Sequence, residues 1–186
     1  NGLSLFSALR SAGQTERLRL IGRRDEVVAS REVLAAATRG NGGALCFVSD
    51  PGGGKTRVLE EAAQLAAKQG FATAMIRVAH GEAATGAGLI FAVLRQALSQ
   101  FVFTGLSREP RLEDRLAVLG LSSATRRLVE DHLSGATRGG DPVQADRAAL
   151  SALLSLARFQ PVAVLVDDLH AAGARARAAF LELLAQ

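Results

Sequence analysis

The run Ser49-Asp50-Pro51-Gly52-Gly53-Gly54-Lys55-Thr56 holds the residue types that phosphate chemistry requires. A loop that cradles phosphate needs small residues, so that successive backbone N–H groups can turn toward the anion. It needs a helix N-terminus, whose partial positive charge favours the anion. It also needs a cation to reach the outer phosphates and a hydroxyl to ligate magnesium. Gly52, Gly53 and Gly54 meet the first need, Lys55 is the cation and Thr56 the hydroxyl. Ser49 stands where such loops usually begin with glycine. That place shapes the turn out of the preceding segment rather than touching phosphate, so the expected cost is weakened affinity at worst.

A second run, Val162-Ala163-Val164-Leu165-Val166-Asp167-Asp168, puts two acids at the end of an apolar stretch. Acids at the C-terminal ends of parallel strands lie where open α/β sheets bind ligands. Beside a phosphate loop, the first acid, Asp167, is expected to hold magnesium together with Thr56. The second, Asp168, is expected to orient the attacking water. Aspartate is one methylene shorter than the glutamate common at this place, which points to slow hydrolysis. Lys55 and Asp168 are therefore the expected catalytic pair.

These residues need strands that end, and helices that begin, at the right places. Residues 24–39 have Val27, Val28, Leu34 and Ala35 at helical spacing, stopped by Gly40-Asn41-Gly42-Gly43. The continuous apolar run Ala44-Leu45-Cys46-Phe47-Val48 predicts a strand buried on both faces, with Cys46 a small core residue. The loop then opens a helix with a stripe of Leu59, Ala62, Ala63 and Ala66, ended by Gly70. Residues 71–79 predict a second strand, and 88–101 an amphipathic helix built on Leu89, Ile90, Val93, Leu94, Ala97, Leu98 and Phe101. One or two helices are expected within 111–134. Asp141-Pro142-Val143-Gln144 reads as the start of a helix that runs to about Phe159. Pro161 opens the strand that carries the acids, and a last helix is expected over about 174–184. Strands separated by helices imply an α/β fold with a parallel sheet.

Composition agrees and narrows the function classes. The chain has 186 residues, 48% hydrophobic and 22% charged, enough for a real core. No apolar stretch approaches the ~20 residues of a membrane span. The N-terminal residues lack the layout of a secretory signal, so a cytoplasmic setting is expected, with no membrane partner. A single cysteine and three scattered histidines leave neither a disulfide framework nor a cysteine/histidine zinc site. The net charge of +4 is mild, and all basic residues but Lys55 and Lys68 are arginine. With no Trp or Tyr to interleave with the charges, nothing marks a nucleic-acid surface. Glu60-Glu61, Glu130-Asp131 and the pair Arg126-Arg127 read as solvated helix faces.

Three segments together resemble a known class. Leu20-Ile21-Gly22-Arg23-Arg24-Asp25-Glu26, the loop through Lys55-Thr56-Arg57, and Val166-Asp167-Asp168-Leu169-His170 look like the nucleotide-binding module of STAND-class, AAA+-related ATPases. The nearest likeness is to the large ATP-binding LuxR-type transcriptional regulators of bacteria. The resemblance covers about residues 19–186, with 1–18 as a loosely held extension. It implies a P-loop NTPase core, ATP or ADP with Mg2+ as cofactors, and a contact of Ile21, Gly22 and Arg23 with the adenine. It also implies that Asp50, Pro51 and Arg57 join the three glycines, Lys55 and Thr56 in holding the nucleotide. Arg24 stands where the class more often has an acid. Ala171-Ala172-Gly173 replaces its usual Trp-Ala-Asp after His170, which is expected to be a structural strand-end residue.

The resemblance further implies a five-stranded core in which a later strand inserts between the two motif strands. The chain stops one helix after Asp168, so it reads as the N-terminal part of a longer protein, or as a short form with another partner filling the gap. The expected function is an ATP-driven switch of a signal-responsive regulator, self-associating or acting on downstream domains of the same protein. DNA would be reached only through a domain outside this chain. A DNA-acting AAA+ motor or loader, and a nucleotide-binding scaffold without turnover, are the alternatives.

Overall fold

Two apolar runs form the centre of the computed structural model, which describes residues 22–78, 86–101, 110–136 and 140–184. They are β1 (Ala72–Arg77) and β2 (Val162–Asp167), paired in parallel with Ala72 opposite Val162 and Arg77 opposite Asp167. Between and around them run seven helices among the described residues: α1 (Arg24–Ala37), α2 (Lys55–Lys68), α3 (Gly86–Gln100), α4 (Leu112–Ala117), α5 (Ser123–Ser134), α6 (Pro142–Ala157) and α7 (Ala174–Leu184). A short 3-10 turn, Leu169–Ala171, joins β2 to α7. The architecture is the expected α/β one, a small parallel sheet flanked by helices.

Local chemistry sets most of the boundaries. Asp141 accepts a hydrogen bond from the Val143 amide at 2.9 Å, and Pro142 opens α6 without a donor to lose. Ser122 caps α5 by accepting from Thr125, and left-handed Gly135 closes it at φ 76°. The expected helical region over 111–134 is thus two helices, α4 and α5.

The core lies between α3, α6, α7 and the sheet. Ile90, Val93, Leu94 and Ala97 of α3 are fully buried, as are Ala149, Ala152 and Leu156 of α6. Their 3.6-residue stripes meet across the α3–α6 contact, which is where the apolar area of the chain leaves water. Helix α2 packs on both strands through a side that buries Val58 and Ala66, and α1 packs on α2.

One sequence expectation fails. Residues 44–48 are neither a strand nor buried: Val48 is 89% exposed, Leu45 is exposed, and Cys46 carries an exposed thiol rather than a core one. A strand is a paired structure, and no strand lies beside this segment among the described residues. Its apolar composition alone cannot satisfy its backbone groups. The strand expected over 71–79 is shorter, Ala72–Arg77, and Ala79 lies outside the described residues.

The far edge of β1 is closed by side chains instead of a strand. The N–H of Thr73 donates to Gln100 Oε1 at 3.0 Å, and that of Met75 to Gln96 Oε1 at 2.9 Å. Four residues along a helix rise ~6 Å, close to the ~6.6 Å of two residues along a strand, so one helix face can serve both amides. This removes two donors that an edge strand would leave open. Gln96→Ala/Gln100→Ala should lower stability by about 1–3 kcal/mol in urea denaturation. Unchanged stability would mean that water serves these amides equally well.

Candidate functional site

The site forms where α2 begins and β2 ends. Gly54 is left-handed at φ 78°, which turns the chain from the loop into α2 at Lys55. Gly52 has φ 79°, and a side chain would be strained at both places. Nothing lies within 4 Å of where a Cβ would stand on either, so the loop's mouth is open there. Gly53 is constrained differently: a Cβ there would collide with Ser49 Oγ. Its N–H donates to the Asp50 carbonyl at 3.0 Å, folding the loop on itself.

Lys55 and Thr56 diverge from this turn. Lys55 Nζ donates to the Ser49 carbonyl at 2.7 Å and to the Asp50 carbonyl at 3.0 Å. Its charge is therefore held at the loop by neutral oxygens, which an anion can replace. Ser49 thus contributes its carbonyl to the lysine, and its hydroxyl accepts a longer contact from the same nitrogen at 3.5 Å. Thr56 Oγ1 donates to Asp167 Oδ2 at 2.6 Å, across 111 residues of sequence. That contact brings together the two residues expected to ligate magnesium.

Asp167 is 3% exposed and ends β2. Asp168 follows in the left-handed region at φ 57°, the one non-glycine residue so placed among those described. Aspartate tolerates this conformation better than most residues. The turn sends the two carboxylates different ways, Asp167 to Thr56 and Asp168 into the cleft. Pro51, Gly52, Gly54, Lys55, Thr56, Arg57, Glu60 and Asp168 line that cleft, which has a volume of about 480 Å³.

The Gly-Arg segment reaches the loop from the other side. Arg23 donates to the carbonyl of Gly53 and to the Glu26 carboxylate. The hydrogen bond from Arg23 holds Glu26 below the ordinary glutamate value of 4.5, with its positive charge adding to the effect. Gly22 is left-handed at φ 74°, and Ile21 lies outside the described residues. Arg57 pairs with Glu60 at 2.9 Å on the first turn of α2. Glu60 therefore belongs to the cleft wall and is not a plain solvated face. Arg126, by contrast, makes a surface pair with Glu130 at 3.7 Å, as expected.

Two further points depart from the sequence reading. His170 is not packed as a strand-end residue: its side chain is 69% exposed, in the 3-10 turn, with Nδ1 4.0 Å from Asp168 Oδ1. Arg77, which the motifs did not single out, donates from Nε to Asp167 Oδ2 at 3.2 Å. The signal available for it was its place at the end of a strand, where parallel sheets gather ligand groups.

The donor set suits a phosphate-bearing ligand with a divalent cation. An open glycine cradle, a lysine held by neutral oxygens of the loop, and a cleft-lining threonine bonded to a buried carboxylate are what such a ligand requires. Among the described residues there is no cluster of three or more His, Cys, Asp and Glu that could hold a metal. No described helix is long and apolar enough to cross a membrane. A sequence-family model described as an AAA ATPase domain matches residues 19–186. Comparisons with curated proteins and with solved structures gave no match.

Proposed function

The chain belongs to the AAA ATPase domain family, and on that premise we propose that it binds ATP with Mg2+ at the loop Ser49–Thr56 and works as a slow switch. Residues 19–186 form the nucleotide module of this reading, and 1–18 its extension. The observation that carries it is the 2.6 Å contact of Thr56 with Asp167, because it joins the loop to the acidic strand end. Phosphate-loop enzymes that hydrolyse nucleotide need both parts within reach of one cation.

The roles follow from position. The amides of Gly52 and Gly54 and the N-terminus of α2 face the phosphates, with Asp50, Pro51, Gly53 and Arg57 bounding them. Lys55 leaves the Ser49 and Asp50 carbonyls for the outer phosphate oxygens. Thr56 and Asp167 hold magnesium, which when bound neutralises charge on the phosphates. Asp168, lining the same cleft, positions water. Gly22 and Arg23, with Ile21 before them, border the base, and Arg23 ties that segment to Gly53.

The regulatory part of the proposal rests on the likeness of Leu20–Glu26 and Val166–His170 to STAND-class regulators of the LuxR type. In that setting the module sits in the cytoplasm, and its ATP state is read by self-association or by other domains of the regulator. DNA contact falls to such a domain. A short acid in the water-positioning place favours a state that persists over one that cycles.

Two measurements test this. Lys55→Ala should abolish binding of a fluorescent ATP analogue while leaving the circular-dichroism spectrum unchanged; a titration equal to wild type would remove the phosphate-loop assignment. In single-turnover assays the unassisted chain should hydrolyse ATP more slowly than about once per minute, the range of phosphate-loop enzymes without a finger arginine in trans. Several turnovers per second would contradict the switch and favour a motor.

A further inference from the structure

Asp167 has a partner that phosphate binding does not require. The parallel register sets Arg77 opposite Asp167 at the C-terminal ends of the two strands. Nε and one terminal nitrogen of Arg77 each lie 3.2 Å from Asp167 Oδ2. Thr56 Oγ1 donates to that same oxygen. The two ends of the ion pair differ sharply in exposure, 63% for the Arg77 side chain and 3% for Asp167.

That asymmetry has a physical consequence. A buried carboxylate needs a counter-charge, and removing it leaves a charge that the interior solvates poorly. The guanidinium faces water on most of its surface, so it can leave without a comparable loss. A divalent cation approaching Asp167 would meet a fixed positive charge about 3 Å from the ligating oxygen, and like charges at that range repel strongly. Cation and guanidinium therefore compete for one oxygen.

We propose that Arg77 is a built-in counter-ion of Asp167 that the divalent cation must displace, so that Arg77 sets the cation affinity of the nucleotide site. The inference rests on the nucleotide reading above and deepens it. In the cation-free chain Arg77 closes the charge balance at the strand ends. In the loaded chain it is released from Asp167. Arg77 is thus a positioning residue, acting through Asp167 and not on the substrate. Loading by magnesium and rearrangement at the end of β1 become one two-state event.

The test uses the whole chain with Mn2+ as the probe, its free concentration read by electron paramagnetic resonance in the presence of ADP. ADP affinity in EDTA is measured alongside. Arg77→Gln should tighten Mn2+ binding by about threefold to tenfold, the range of a partly exposed ion pair in competition, and leave ADP affinity in EDTA unchanged. Arg77→Lys, which keeps a charge within reach of Asp167, should stay near wild type. Arg77→Met gives the same reading as Arg77→Gln should the latter misfold. Equal or weaker Mn2+ binding in Arg77→Gln, with ADP still bound, overturns the inference alone. A lysine variant as tight as the glutamine variant overturns it too. A wild-type chain that binds no ADP, with or without Mn2+, overturns the nucleotide reading and this inference together.

Discussion

Oδ2 of Asp167 accepts from Thr56 on α2 and from Arg77 on β1, and the arrangement of the site follows from that shared oxygen. The Thr56 contact ties the first turn of α2 to the end of β2, so the glycine loop cannot drift from the acidic strand end. The Arg77 contact ties β1 to β2 at their C-terminal ends, where the register makes these residues neighbours. A nearly buried carboxylate is costly unless its lone pairs and charge are both answered. Here a hydroxyl and a guanidinium answer them, and both come from elements that the site needs in place.

The same demand for satisfied polar groups explains the sheet. Among the described residues the sheet has two strands, so each has one edge without a strand beside it. On β1 that edge is met by Gln96 and Gln100, whose side chains stand in for a strand. The helix that carries them also buries Ile90, Val93, Leu94 and Ala97, so one element meets both the apolar and the polar requirements of β1. Between α6 and α7 the demand is met in part: Arg175 donates twice to Oδ2 of the buried Asp146, at 2.8 and 3.0 Å, while Oδ1 has no hydrogen-bond partner among the described residues. Residues 44–48 have no such partner among the described residues, and they remain exposed despite their apolar content.

What could be read from the sequence divides along the range of the interactions involved. The loop was legible because Gly52, Gly54, Lys55 and Thr56 act through local geometry: left-handed glycines, then a helix start. The helix start at Asp141 was equally local, whereas the one at Ser122 was not singled out. Asp167 was legible because an apolar run ends there, and its meeting with Thr56 followed from the chemistry both would share. Arg77 was not legible, because its role depends on the register of β1 against β2, which no single strand reveals. Gln96 and Gln100 lie outside the apolar stripe of their helix, and only the position of that helix along an open edge gives them work. The strand at 44–48 failed for the converse reason, since its apolar run specifies a preference that only a neighbour can realise.

Amide shifts of a 15N-labelled chain test whether the backbone of the glycine loop faces the phosphates of a nucleotide. On addition of ADP with Mg2+, the largest changes should fall on the amides of Gly52, Gly53, Gly54, Lys55 and Thr56, with smaller ones at Asp167 and Arg77. Those of α5, far along the chain from the loop and strand ends, should stay in place. Saturable shifts that spare the loop and appear elsewhere, or no shifts at millimolar ADP, would contradict the account.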